Sequence, residues 1–254
     1  RMSRGLGDVY KRQRRCSMRI VAIDSSGLVA SVAILENDSI LATYSVNYKK
    51  THSQTLLPML QEIMQMTEFD KTTIDAIAVA KGPGSFTGLR IGSATAKGLG
   101  LALGKPIIEV PTVDALAYQL YGMSLICPMM DARRQQVYTG LYGFSSIEQG
   151  TEFQVIEPQC ATGVEEIIKK INERGQQVVY LGDGATVYET LIKEQTKVPY
   201  VFVPANCNRQ SAAALAVLAK SYYERGEYVT AAEHRPDYLR LSQAERERME
   251  KMQK

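Results

Sequence analysis

Residues 81–92, KGPGSFTGLRIG, open a stretch in which small residues return at every fourth position: Gly88, Gly92, Ala96, Gly100 and Gly104. On a helix of 3.6 residues per turn, that spacing draws a slowly drifting ridge along one face. Each interior glycine costs a helix roughly 1 kcal/mol relative to alanine. A helix that keeps several of them is built for close approach by another backbone. Leu89, Ile91, Leu99, Leu101 and Leu103 make the rest of it apolar nearly all round, so it needs two covers. The spacing therefore predicts a helix over 87–103 with the protein's own sheet on one side and a partner on the other.

The turn before that helix fits neither standard nucleotide loop. A Walker A loop needs glycine-lysine where Thr87 stands, five residues after Gly82. The dinucleotide fingerprint needs a third glycine at that same position. Thr87 reads as the helix N-cap, and the free N–H groups behind it suit either a cap or an anion.

Before this segment, strand patterns run over 19–24, 29–35 and 40–46, separated by turn residues. A helical pattern over 52–66 follows, with Leu56, Leu60, Ile63 and Met64 on one broad face. Thr51 and Gln54 have capping-box spacing, and Pro58 must lie in the first turn or kink the helix. Leu57, Met59 and Met66 extend the apolar surface around this helix, and methionine-rich faces suit adaptable contacts. A buried strand over 74–80 precedes the glycine turn, and a short one over 107–110 follows its helix.

The second half repeats the order. Strands are expected over 125–131, 136–144 and 153–157, a helix over 163–173, a strand over 177–182, a helix over 185–194, a strand over 200–203 and a helix over 209–225. Three strands followed by alternating helix and strand, twice over, make an α/β fold of two lobes, each a mixed sheet with helices. The boundaries are expected at 18–110 and 111–240, with a charged helical tail over 241–254.

This duplicated βββαβα order resembles the two-lobed fold of the actin, sugar-kinase and chaperone-ATPase superfamily, whose lobes clasp a nucleotide. Three places match its phosphate and adenosine loops in position: Asp24, Ser25 and Ser26 after the first strand; Asp131 and Arg133 after the equivalent strand of the second lobe; and Gly182 and Gly184 between a later strand and helix. A carboxylate at a strand end can hold a metal-bound water near a phosphate, and glycine lets backbone approach a ligand.

With 45% hydrophobic and 22% charged residues, 254 residues can bury a sizeable core. No apolar stretch approaches the roughly 20 residues that span a bilayer, so no membrane is implied. Residues 1–17 hold six basic residues and one acid; without them 24 basic and 26 acidic residues remain. That segment reads as a leader foreign to the native protein, with a transit peptide as the alternative. The remainder has no basic surplus for tight nucleic-acid binding by this chain alone. Four scattered cysteines without a CxxC pair make a disulfide framework improbable and point to a reducing cytoplasm.

THSQTLLPML at 51–60, KGPGSFTGLRIGSATAKGLGLAL at 81–103, PTVDALA at 111–117, MDARRQQVY at 130–138 and PDYLR at 236–240 resemble the bacterial TsaB (YeaZ) family, from Met18 to about Arg240. That resemblance implies a subunit without its own catalytic activity, which pairs through its N-terminal lobe with the related catalytic subunit TsaD. With the ATPase TsaE, it helps transfer a threonylcarbamoyl group to the adenosine beside the anticodon of tRNA. ATP is then used by the complex, no cofactor or metal is required by this chain, and tRNA is met only through the complex. The implied docking surface comprises His52, Leu56, Leu60 and Met64 on the first helix and Thr87, Leu89, Gly92, Ala96 and Gly100 on the second. A homodimer through the same surface is the fallback when TsaD is absent.

The residue inventory agrees with that role. The catalytic relative holds its metal by an HxxxH pair on a helix; this chain has only His52 and His234, and position 56 is Leu56. Paired-histidine metal chemistry therefore requires those two distant residues to meet. His234 reads as a surface residue. HExxH and GxSxG are absent, whereas a Ser–His–Asp triad is defined by geometry and stays open. The alternative is an actin-like ATPase or phosphotransferase using Asp24 and Asp131. Against it, the first loop reads Asp-Ser-Ser-Gly-Leu, which places Ser26 where a phosphate needs glycine.

Overall fold

The computed structural model describes residues 17–239 except 49 and 149. All of the expected leader but Ser17, and the whole 241–254 tail, lie outside the described residues.

Strand β1 (Arg19–Asp24) runs antiparallel to β2 (Ala30–Glu36), which pairs with β3 (Ser39–Val46). Helix α1 (His52–Met66) leads to β4 (Ala76–Gly82), parallel to β1; helix α2 (Phe86–Leu103) leads to β5 (Ile107–Pro111), parallel to β4. The first sheet thus has the order β3-β2-β1-β4-β5. Its central strands are near-continuous apolar runs because both faces are covered. Ile20 and Ala22 of β1 point into one core and Val21 and Ile23 into the other.

After α3 (Thr112–Tyr118), the second sheet repeats the plan with β6 (Ile126–Asp131), β7 (Gln136–Ile147), β8 (Gly150–Gly163), β9 (Val178–Leu181) and β10 (Tyr200–Phe202). Its order, β8-β7-β6-β9-β10, is that of the first sheet element for element. Helices α4 (Val164–Arg174), α5 (Asp183–Val187) and α6 (Glu189–Gln195) complete it. This is the two-lobed actin-like and sugar-kinase-like fold that the duplicated order implied.

Strand β8 spans far more than 153–157, because it zips to β7 from Ile147↔Gly150 to Gln136↔Gly163 as one long hairpin whose polar ends mask its length. The helix expected over 185–194 is two helices, broken at Tyr188 (φ −105°, ψ 20°). The hydroxyl of Tyr188 donates to Asp131 Oδ1 at 2.9 Å, which draws this residue out of helical register. Thr51 is the N-cap of α1, but its side chain makes no cap bond, so the expected capping box is not formed. Pro58 lies past the first turn, inside α1 on an exposed face.

The boundary expected at 110/111 needs correction. Helix α7 (Ala212–Glu224) returns to the first lobe, where Ala212, Leu215, Ala216, Leu218 and Ala219 cover the β1–β2–β4 face. Its run of alanines lets it lie close to a sheet whose facing residues include Ala22, Ala33 and Ala78. Beyond it, Val229 pairs with Ile107 on the open edge of β5, so this stretch too lies on the first lobe. Helix α3 sits between the lobes: Ala115 joins the first core, while Val113, Leu116 and Ala117 join the second. At this junction, Asp114 accepts from Tyr142 of β7 at 2.8 Å and from Tyr222 of α7 at 3.5 Å.

Candidate functional site

Two regions gather the residues singled out from the sequence: the loops at the carboxyl ends of the central strands, and the surface formed by α1 and α2.

In the first loop, the Asp24 carboxylate is buried and accepts from Ser26 N at 2.9 Å and Ser26 Oγ at 2.6 Å through Oδ1. Burial raises its pKa, against the lowering effect of those two hydrogen bonds and of nearby His52. Ser25 Oγ donates to the Gly88 carbonyl at 2.8 Å, and Ser85 N donates to the Ser26 carbonyl at 2.7 Å. The loop is thereby stitched to the start of α2. Gln210, 6% exposed, fills the space beside Gly27: a Cβ on that glycine would stand 2.7 Å from its amide. The glycine makes room for a side chain of the protein itself.

The second lobe satisfies its own carboxylates likewise. Asp131 Oδ1 accepts from Arg133 N at 2.8 Å and from Tyr188. Asp183 Oδ1 accepts from Asp131 N at 3.3 Å and Gly184 N at 3.0 Å, and burial raises its pKa. Gly182, at φ 98°, donates to Asn208 Oδ1 at 2.6 Å, and a Cβ there would overlap the Met129 carbonyl. Gly184 packs against the backbone of Asp131, so both glycines serve close strand–helix approach. Residues Asn208 and Gln210 run from this loop to the Asp24 loop.

Between β6 and β7, Arg133, Arg134 and Gln135 take φ of 63°, 56° and 56° in succession. A left-handed conformation costs an L-residue roughly 1–2 kcal/mol, so this turn stores strain that glycine or asparagine would avoid.

The ridge of small residues on α2 faces inward, which corrects the expected docking surface. A Cβ on Gly88 would overlap the Ser25 carbonyl, and one on Gly92 would overlap Ser25 Oγ. A Cβ on Gly100 would stand 2.9 Å from Ala231. Leu89, Gly92, Ala96 and Gly100 are all buried within the chain, as are Leu56 and Leu60 of α1. The cover is the protein's own loop and C-terminal segment. Thr87 is exposed but is not the N-cap; Ser85 holds that place and accepts from Gly88 N at 3.3 Å.

The outer surface of α1 and α2 is apolar through different residues. Leu57 is 56% exposed, Met66 77% and Leu101 66%. Between the helices lies a groove of about 550 Å³, lined by Leu57, Leu60, Met64, Phe69 and Leu99 together with Gln61, Gln65, Asp70 and Lys71. Met64, like the exposed Thr87, is thus an expected contact that faces outward. The apolar circumference of both helices signals the others, but does not say which arc the sheet takes.

His52 is half-buried and its Nε2 bonds the Gly27 carbonyl at 2.9 Å, tying the start of α1 to the first loop. Leu56, where a second histidine of a metal pair would stand, lies in the core. The residues present do not fit the catalytic relative's metal. His234 is buried, contrary to the surface position expected, with Nδ1 2.7 Å from Glu109 Oε1. It anchors the C-terminal segment, which Lys97 also holds through the His234 carbonyl at 2.9 Å. Further along it, Tyr238 meets Phe86 at 4.6 Å, with the Arg90 guanidinium 3.9 Å over the Phe86 ring. Among the described residues no helix is long and apolar enough to cross a membrane.

The family model described as TsaD, tRNA N6-adenosine threonylcarbamoyltransferase, matches residues 39–248. The tRNA threonylcarbamoyladenosine biosynthesis protein TsaB of Bacillus subtilis (strain 168) is 33% identical over 231 residues, 90% of this chain and 96% of the relative. Its counterpart in Escherichia coli (strain K12) is 31% identical over 236 residues, 88% of this chain and 95% of that one. Among solved structures, YeaZ from Pseudomonas aeruginosa superposes with a TM-score of 0.71 at 27% identity, covering 87% of this chain and all of that one. The family model and the relatives carry different names, and the near-full-length matches to TsaB decide between them. The chain belongs to the TsaB (YeaZ) family of tRNA threonylcarbamoyladenosine biosynthesis proteins.

Proposed function

We propose that this chain is a non-catalytic subunit that docks TsaD and, with TsaE, supports transfer of threonylcarbamoyl to the anticodon-adjacent adenosine of tRNA. The observation that carries the docking role is the outer surface of α1 and α2, where an open groove is lined by Leu57, Leu60, Met64, Phe69 and Leu99, and Met66 and Leu101 stand exposed elsewhere on the same two helices. Contiguous exposed apolar surface rimmed by polar residues marks an interaction site. Because TsaD shares the fold, its corresponding helices are the natural occupant, and two copies of this chain meet through the same face when TsaD is missing. ATP is consumed by the assembled complex in this reading, and the chain itself requires no cofactor.

The carboxylates of the first and second loops support the passive role. Asp24 and Asp131 are each held by donors of their own loops, and Gln210 occupies the space beside Gly27. The test is reconstitution from purified subunits with unmodified tRNA and ATP. Modification is expected only when this chain, TsaD and TsaE are together, and the chain alone is expected to hydrolyse no ATP. Turnover by the chain alone that disappears in Asp24→Asn would overturn the reading.

A further inference from the structure

The β6–β7 tip is the one place among the described residues where three non-glycine residues in succession have positive φ, and two of them are arginines. Arg133, Arg134 and Gln135 are all exposed. Among the described residues, neither guanidinium has an ion pair, a hydrogen bond or a ring beneath it. Their backbone, by contrast, is held at both ends of the turn. Arg133 N donates to Asp131 at 2.8 Å, Gln136 N to the Arg133 carbonyl at 3.2 Å and Val164 N to the Gln135 carbonyl at 3.1 Å. Tyr188 fixes Asp131 from behind. Glycine or asparagine would build this turn with less strain, so its composition is explained by what the side chains do.

A rigid base carrying two unpaired guanidinium forks suits an anion with several oxygens in fixed geometry, which is the chemistry of phosphate. Residues 17–239 carry 19 basic and 23 acidic residues, so the chain has no general attraction for a polyanion and a local contact must supply it.

We propose that the Arg133–Arg134 turn contacts the phosphodiester backbone of RNA. The inference rests on the reading that this chain works in a tRNA-modifying complex, and adds that it touches the RNA itself rather than serving only as a dock. Phosphate contacts position a nucleic acid without reading its sequence, so the turn helps hold tRNA in register on the assembly.

The test combines Arg133→Asn with Arg134→Gly, a pair suited to the turn, and compares Arg133→Lys with Arg134→Lys. Binding of an unmodified tRNA transcript is measured against salt for the complex with TsaD, and for the chain alone at low salt. The Asn–Gly variant is expected to melt at a higher temperature, to keep its complex with TsaD, and to bind tRNA about tenfold more weakly. Its plot of log affinity against log salt is expected to be shallower by about 1.4–1.8, the loss of two phosphate contacts. The lysine pair keeps most of the slope. Unchanged affinity and slope would overturn the proposal. Loss of the TsaD complex would assign the turn to a protein partner instead, and loss of ATP binding with tRNA binding intact would assign it to a nucleotide; either result overturns it. Failure of the wild-type chain to pair with TsaD counts against the docking reading alone, and the slope of the isolated chain then decides this one.

Discussion

Ser25 Oγ donates a 2.8 Å hydrogen bond to the Gly88 carbonyl, and Gly92 one turn on leaves room for that same hydroxyl. The first phosphate-like loop and the glycine-rich helix are therefore two halves of one internal joint. The glycines bring α2 against the loop, and the loop's hydroxyls close on the helix backbone.

Gly92→Leu is accordingly expected to destabilise the monomer by about 2–3 kcal/mol through overpacking against Ser25. Urea denaturation of the isolated chain measures it. Normal stability with lost pairing would show that the ridge faces a partner.

Asp24 gives a pH signature. Its folded pKa is raised, so the folded state binds its proton more tightly than the unfolded state, and stability falls as pH rises from about 3.9 through the folded value. Asp24→Asn keeps an acceptor for Ser26 N and Ser26 Oγ without the buried charge. The variant is expected to remain folded, to be at least as stable as wild type at pH 7, and to show a flatter stability profile above pH 4. Melting temperatures across pH 4–7 report this; a steeply destabilised variant at pH 7 would mean that the charge itself is needed.

The junction of the lobes depends on Asp114. Tyr142→Phe removes the 2.8 Å donor to a buried carboxyl whose pKa burial already raises, and a cost of about 1–3 kcal/mol is expected. Chemical denaturation gives the value, and an unchanged midpoint would remove Asp114 from the account of how the lobes are held.

Sequence periodicity reached most of this fold because both lobes are built from elements with clear patterns. Helix α1 matches its expected span of 52–66, and β1 its span of 19–24. What it could not reach was direction. The apolar circumference of α2 announces two covers, yet which arc is buried depends on Ser25 and Ala231, which are remote in sequence. Hence the docking surface implied by the resemblance includes Gly92 and Ala96, which are buried, whereas Leu57 and Leu101 are the exposed ones. His234 reads as a surface residue for the same reason: its partner Glu109 lies 125 positions away. The return of α7 to the first lobe was hidden because an alanine-rich helix matches either sheet equally well.

The most direct measurement of the docking claim is titration of this chain with purified TsaD, followed by sedimentation or calorimetry, for wild type and for Leu57→Glu with Leu101→Glu. Both side chains are exposed, so the variant is expected to melt as wild type does. Its affinity for TsaD is expected to fall on the order of 30-fold or more, as when charges enter the centre of an apolar interface. Self-association of the chain should weaken in step. A variant that binds TsaD as tightly as wild type would contradict the account, because the outer face of α1 and α2 would then not be where this subunit docks.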